Sequence, residues 1–199
     1  MFQQTAQAFN QDIGITTSYL PNNPYNHEDG TRVQAAEDPD LTDISVENTV
    51  FYLRALQAPS QRNKDNAEIK EGQVIFDAIN CSGCHVKSLK AGFSNIAAIN
   101  QQTFYPYTDL LLHDMGPGLD DGYTEGTALT SEWRTAPLWG LGLAKNAQGG
   151  GYSLMHDGRA KSIEDAILLH GGEAQKSVTS YKNLTDADKN KLLKFLESL

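Results

Sequence analysis

The chain has 199 residues, and its 25 Asp and Glu outnumber 16 Lys and Arg to give a formal charge of -9, which argues against a nucleic-acid partner. It is long for one minimal helical core and short for two domains of ordinary size. No apolar run approaches membrane-spanning length, and Met1-Phe2-Gln3-Gln4 lacks the basic start and apolar stretch of an export signal.

Phe2 to Ile13 reads as a short helix with Phe2, Ala6, Phe9 and Ile13 on one face. Residues 20 to 40, with Pro21, Pro24, Gly30, Asp38, Pro39 and Asp40, predict acidic, irregular turns. Thr42 or Asp43 can cap the next helix, in which Ile44, Val50, Phe51 and Leu53 recur at helical spacing until Pro59. A polar linker, Ser60 to Asn66, follows. Ala67 to Ile79 is amphipathic, with Ile69, Phe76 and Ile79 inward. The expected organisation is an N-terminal extension, residues 1–66, packing on a domain of residues 67–199.

The third helix delivers the chain to Cys81-Ser82-Gly83-Cys84-His85, the attachment pattern of a c-type haem. One irregular helical turn presents both thiols to the vinyl groups of one porphyrin edge, and the next side chain points an imidazole at the iron. A zinc ribbon would need a second ligand pair, and these are the only two cysteines. A thioredoxin-like dithiol would follow a strand, whereas a helix precedes this motif. The expected cofactor is therefore one covalent haem c.

Residues 87 to 151 hold many Gly, Pro and aromatic residues and little periodicity, predicting long ordered loops around the cofactor. The glycines at 140–142 and 149–151 lack the spacing and the Lys-Ser/Thr of a phosphate loop. Ser162-Ile163-Glu164-Asp165 starts a helix that buries Ile163, Ala166 and Ile167, with His170 at its last turn and Gly171 as a left-handed cap. Thr185-Asp186-Ala187-Asp188 starts the final helix, lined by Leu192, Phe195, Leu196 and Leu199. The third and last helices resemble the first and last helices of cytochromes c, which cross tightly, and Gly72 and Phe76 against Leu192 and Phe195 suit that crossing. The fold expected is mainly α, a cytochrome c fold with long ordered loops and an N-terminal helical extension.

The sixth iron ligand decides the chemistry: His or Met closes the site for electron transfer, and an open position admits peroxide. The candidates are His27, His113, His156, His170, Met115 and Met155. His27 reads as a surface residue. His170 is the best placed, because it extends an apolar stripe at a helix end. Met115, on a Gly/Pro loop, and Met155 remain alternatives whose plainer role is packing, and an open site is the last. His156, in the His156-Asp157-Gly158 turn, can bond a propionate or a carbonyl.

Four separated stretches carry a resemblance: Asp109–Leu119, Glu132–Gly140, His156–Ala160 and Glu164–Ala174. Together they resemble the di-haem oxidoreductase and peroxidase family, related to bacterial di-haem cytochrome c peroxidases, from about Gln3 to Leu199. Members carry two haem sites, and this chain, with one, is similar to their C-terminal half. The resemblance implies an electron-relaying haem rather than a peroxidatic one, with His170 at the distal position. It makes Arg134 and Arg159 propionate partners, with surface arginines the plainer alternative, and sets Trp133 and Trp139 in the core, at the haem edge or at an interface. It also implies calcium near Thr135 and Pro137, doubtful in full without the other half's ligand. Haem attachment implies a periplasmic or otherwise exported protein, so the chain is expected to be a fragment or a mature domain. Its partners would be a redox protein or a missing N-terminal haem domain.

Three functional classes follow: an electron-transfer domain without catalytic residues, a peroxidase acting at an opened distal site, and a haem sensor. In the second, His113, His156, Asp114 or Glu173 would lend acid-base help.

Overall fold

The computed structural model describes residues 1–22, 39–124 and 126–199. They are mainly α-helical and divide into two compact units, Met1–Gln57 and Ala58–Leu199. Most of the turn-rich segment, including Pro24, His27, Gly30 and Asp38, lies outside the described residues.

In the first unit, α1 (Phe2–Gln7) runs on through a wider helical turn at Ala8–Asp12 and packs on α2 (Asp43–Ala55). Asp40 fastens the return of the chain, accepting from the Thr16 amide at 2.9 Å and the Thr16 hydroxyl at 2.7 Å. The inward face of α2 is Val46 and Val50, 0% and 5% exposed. Ile44 and Phe51, expected inside, are 61% and 55% exposed. The Val46–Val50 pair at i, i+4 sets the buried stripe, and the larger apolar residues lie off it.

The second unit is built on α3 (Ala67–Ala78) and α7 (Asp186–Ser198), which cross with the most extensive contact of any pair of elements. Asn66 caps α3 by accepting from Glu68 and Ile69, and Thr185 caps α7 by accepting from the Asp188 amide at 3.2 Å. Apolar spacing turns Ile69, Phe76, Leu192, Phe195 and Leu196 into one shared core. Gly72 lets the helices approach: a Cβ there would meet the Lys191 carbonyl and lie 2.8 Å from Phe195 Cβ. Phe76 meets Phe195 edge-on with ring centroids 5.3 Å apart, and Tyr107 closes the group at 6.2 Å from Phe76 and 5.8 Å from Phe195. Lys194–Glu68 and Lys191–Glu71, each 2.7 Å, span the half-exposed margin, where ion pairs contribute little. Thr185→Ala is expected to cost about 1 kcal/mol of stability, measured as a lower denaturation midpoint.

Residues 58–66 are tied to the end of α7. The Arg62 amide donates to the Ser198 carbonyl at 2.8 Å, and its guanidinium reaches the carbonyls of Glu197 and Leu199. Between the two long helices come β1 (Leu89–Lys90) paired with β2 (Thr103–Phe104), and β3 (Leu112–Asp114) paired antiparallel with β4 (Glu132–Arg134). A helix absent from the sequence expectation, α4 (Leu141–Ala147), follows. Gly142 allows it onto α7, since a Cβ there would meet the Glu197 carbonyl. α5 (Ile163–Leu169) and α6 (Gln175–Lys182) complete the unit. No helix among the described residues is long and apolar enough to cross a membrane.

Candidate haem site

The attachment turn is made by the way α3 stops. Asn80, in the left-handed region at φ 64°, reverses the chain into a tight turn over Cys81–Gly83, and the His85 amide closes it on the Cys81 carbonyl at 3.0 Å. Both cysteines are free thiols and half-buried. Burial, reinforced by Asp77, pushes the Cys81 thiol up to about 12, and burial with the charges of Asp109 and Glu173 raises Cys84 as well. Neither is a poised thiolate of the kind redox dithiols use.

The rings of His85 and His170 are neighbours, with centroids 6.4 Å apart and planes inclined at 54°. His85 Nδ1 lies 3.0 Å from the Tyr107 carbonyl, and His170 Nδ1 lies 2.6 Å from the Ala166 carbonyl. A carbonyl only accepts, so each Nδ1 carries the proton and each Nε2 keeps its lone pair. Crowding by protein lowers His85 to about 4 and lowers His170 too, so both rings are neutral near pH 7. One ion between two imidazoles needs about 2 Å to each nitrogen and about 1.1 Å more to each ring centre, roughly 6.3 Å in all. The residues present therefore fit a haem iron held on both sides, with two thiols beside one ligand.

Ser162 places His170, accepting from the Asp165 amide at 2.9 Å to start α5. The helix ends at Leu169, and His170 is already extended at φ -61°, ψ 137°. Gly171 is not the left-handed cap expected: its φ is -138°. Its smallness answers a close approach instead, since a Cβ there would lie 2.7 Å from the Met115 carbonyl.

A family profile described as "Di-haem oxidoreductase, putative peroxidase" matches residues 2–199. The chain belongs to the di-haem oxidoreductase family. No curated protein matches it significantly. A solved chain of Kuenenia stuttgartiensis hydrazine synthase, pressurised with xenon, is 18% identical with a TM-score of 0.48, over 81% of this chain and 57% of that one. This chain spans little more than half the length of that one.

Around the paired imidazoles of this family member, the remaining predicted residues take separate places. His113 is committed elsewhere, 2.9 Å from Asp109 on Nε2 and 2.9 Å from Glu173 on Nδ1. It also lies 3.7 Å from Cys84 Sγ, on the attachment side. Cys84, Asp109 and His113 bring donor atoms within 4.8 Å of one another, as a metal site would. The thiol and the carboxylate, however, face opposite ring nitrogens, so one ion cannot take all three as they stand.

His156 stacks on Trp133 at 4.7 Å, and the Trp133 indole donates to the Leu119 carbonyl at 2.7 Å. Burial, then the neighbouring Arg134 charge, lowers the His156 pKa. Arg134 is exposed and forms no ion pair among the described residues, whereas Arg159 is bound to Asp157 and to the Gly118 carbonyl at 3.0 Å. Trp139 rests against Phe104 at 6.0 Å and is 38% exposed. Met115 sits in the loop packed on Gly171, and Met155 occupies a left-handed position at φ 63°. Sequence reasoning missed Tyr107 and Ala166, which act through backbone carbonyls and so leave no trace in residue type. It also missed Asp109, whose i, i+4 spacing to His113 was a visible signal.

Proposed function

We propose that this chain holds one covalent haem c in a cytochrome c fold and passes single electrons through it, as the relay domain of a larger di-haem oxidoreductase. Cys81 and Cys84 would anchor the porphyrin by thioethers, and His85 and His170 would be the residues that hold its iron. When bound, the haem supplies a one-electron couple whose potential the axial ligands set. The chain's own residues orient and hold. Tyr107 and Ala166 fix both imidazoles with Nε2 available, and crowding keeps them unprotonated. The α3–α7 core anchors the attachment turn from behind. The observation that carries the reading is the neighbouring imidazole pair, 6.4 Å apart, each tied through Nδ1 to a carbonyl.

The family name counts two haems and this chain has one attachment motif, so a second haem-bearing domain or a redox protein is the partner proposed. The charge of -9 suits a basic docking face on it. Covalent haem attachment supports export to the periplasm. Arg134, exposed and without an ion pair among the described residues, is the better propionate partner of the two arginines. Calcium stays a weaker proposal, because the Thr135 carbonyl already accepts from the Thr108 hydroxyl at 2.7 Å.

The test is the absorption and EPR spectra of the ferric, haem-loaded protein. A low-spin signal without a methionine-to-iron charge-transfer band is expected. High-spin iron would sink the relay reading and put the peroxidase activity of the family description in its place.

A further inference from the structure

Glu173 stands three residues after His170, in the short turn Gly172–Ala174. One carboxylate oxygen accepts from the Asp114 amide at 3.0 Å, and the other accepts from His113 Nδ1 at 2.9 Å. His113 donates through its other nitrogen to Asp109 at 2.9 Å. With both nitrogens donating, the ring is a cation between two carboxylates. The bond to Glu173, then that to Asp109, raises the His113 pKa against the pull of burial, and His113 in turn lowers Glu173.

The backbone repeats this contact. Gly171 lies flush on the Met115 carbonyl, and a Cβ at Gly172 would come 2.7 Å from the Gly116 amide nitrogen. Among the described residues, the hydrogen bonds of His170 itself stay within its own helix, to the carbonyls of Ala166 and Ile167. Two things hold His170 against the rest of the unit: α5, whose Ile163 and Ile167 pack on the core and whose Glu164 accepts from the Tyr181 hydroxyl at 2.9 Å, and the segment after it, which is fastened to β3.

The geometry points to Asp109, His113 and Glu173 as a latch that holds the distal ligand His170 in place. The inference rests on the assignment of His170 made above. It makes His113 and Glu173 positioning residues, acting through His170 rather than on a substrate. An isolated exposed ion pair would be too weak for this. Here the Glu173 side chain is 56% exposed, but it meets a His113 ring only 16% exposed and bonded to an Asp109 side chain only 13% exposed, and two donors converge on it. Its loss strands both the His113 N–H and the Asp114 amide. With Cys84 Sγ 3.7 Å from the same ring, the latch joins the segment after the distal ligand directly to the attachment turn.

Cyanide binding to the ferric holoprotein reads the latch, because cyanide must wait for His170 to leave. Glu173→Ala is expected to raise the binding rate about tenfold, the size of one charge-assisted hydrogen bond. Glu173→Gln, which keeps an acceptor for Asp114, should raise it less, and His113→Gln should match Glu173→Ala. The Glu173→Ala/His113→Gln double variant should be no faster than the faster single one, since both break the same latch. Thr185→Ala, far from these residues, should lower stability and leave the rate unchanged.

An unchanged rate in folded Glu173→Ala overturns the latch, as do single effects that multiply in the double variant. If Glu173→Ala does not fold, Glu173→Gln and Asp109→Asn decide by the same rate. His170→Ala separates the two readings. If it leaves the wild-type spectrum intact, the ligand assignment itself fails. If it opens the site while Glu173→Ala does nothing, only the latch fails.

Discussion

His170→Ala is expected to turn the ferric haem from low spin to high spin and open it to cyanide and peroxide. Neutral His170 offers Nε2 because its Nδ1–H donates to the Ala166 carbonyl, and two other candidate histidines are engaged elsewhere. His113 has both nitrogens engaged, and His156 is stacked on Trp133. Alanine removes the ligand without disturbing the α5 start at Ser162. His170→Met should stay low spin and raise the midpoint potential by on the order of 0.1 V or more, within the about 0.8 V that axial ligands span. Electronic absorption and EPR check both variants. An unchanged His170→Ala spectrum would mean that another group occupies the distal side.

Gly72→Ala should be among the most damaging single methyl groups in the second unit. Its Cβ would meet the Lys191 carbonyl, and neither helix can relieve a backbone contact by turning a side chain. Overpacking costs roughly 1–3 kcal/mol and more where the backbone must shift, which outweighs the ~1 kcal/mol that alanine gains over glycine in a helix. A net loss of about 3 kcal/mol corresponds to a Tm lower by roughly 6–12 °C in a chain of this size. Thermal or denaturant unfolding measures it, and a wild-type midpoint would contradict the crossing described.

The helices that carry strong apolar stripes were legible. α3, α5 and α7 announce themselves by period and by Ser162 or Thr185 at their starts, and the fit of Gly72 against Phe195 came from the resemblance to the helix crossing of cytochromes c. In α2 the large side chains misled, because Ile44 and Phe51 point outward while the smaller Val46 and Val50 are buried. Exposed apolar residues are common enough that size does not settle which face turns in. The middle was opaque for a different reason. Strands of two or three residues have no period to read, and α4 begins among glycines that look like a loop until α7 is seen beside them. At the site, the attachment residues and His170 were visible as residue types. Their acceptors, the carbonyls of Tyr107 and Ala166, were not, and the meeting of His113 with Glu173 depends on how the chain returns.

The α3–α7 crossing also sets an order of events in synthesis. Phe76 and Ile69 find their partners Leu192, Phe195 and Leu196 only after everything from Ile79 to Thr185 has been made. Contacts so distant in sequence form slowly, since a long loop must close before they reward it. For most of its time on the way to the native state, the attachment turn thus hangs from a helix whose apolar face is unclosed. On the proposed covalent attachment, the thiols would be open to the porphyrin during that interval, and the last helix would shut it.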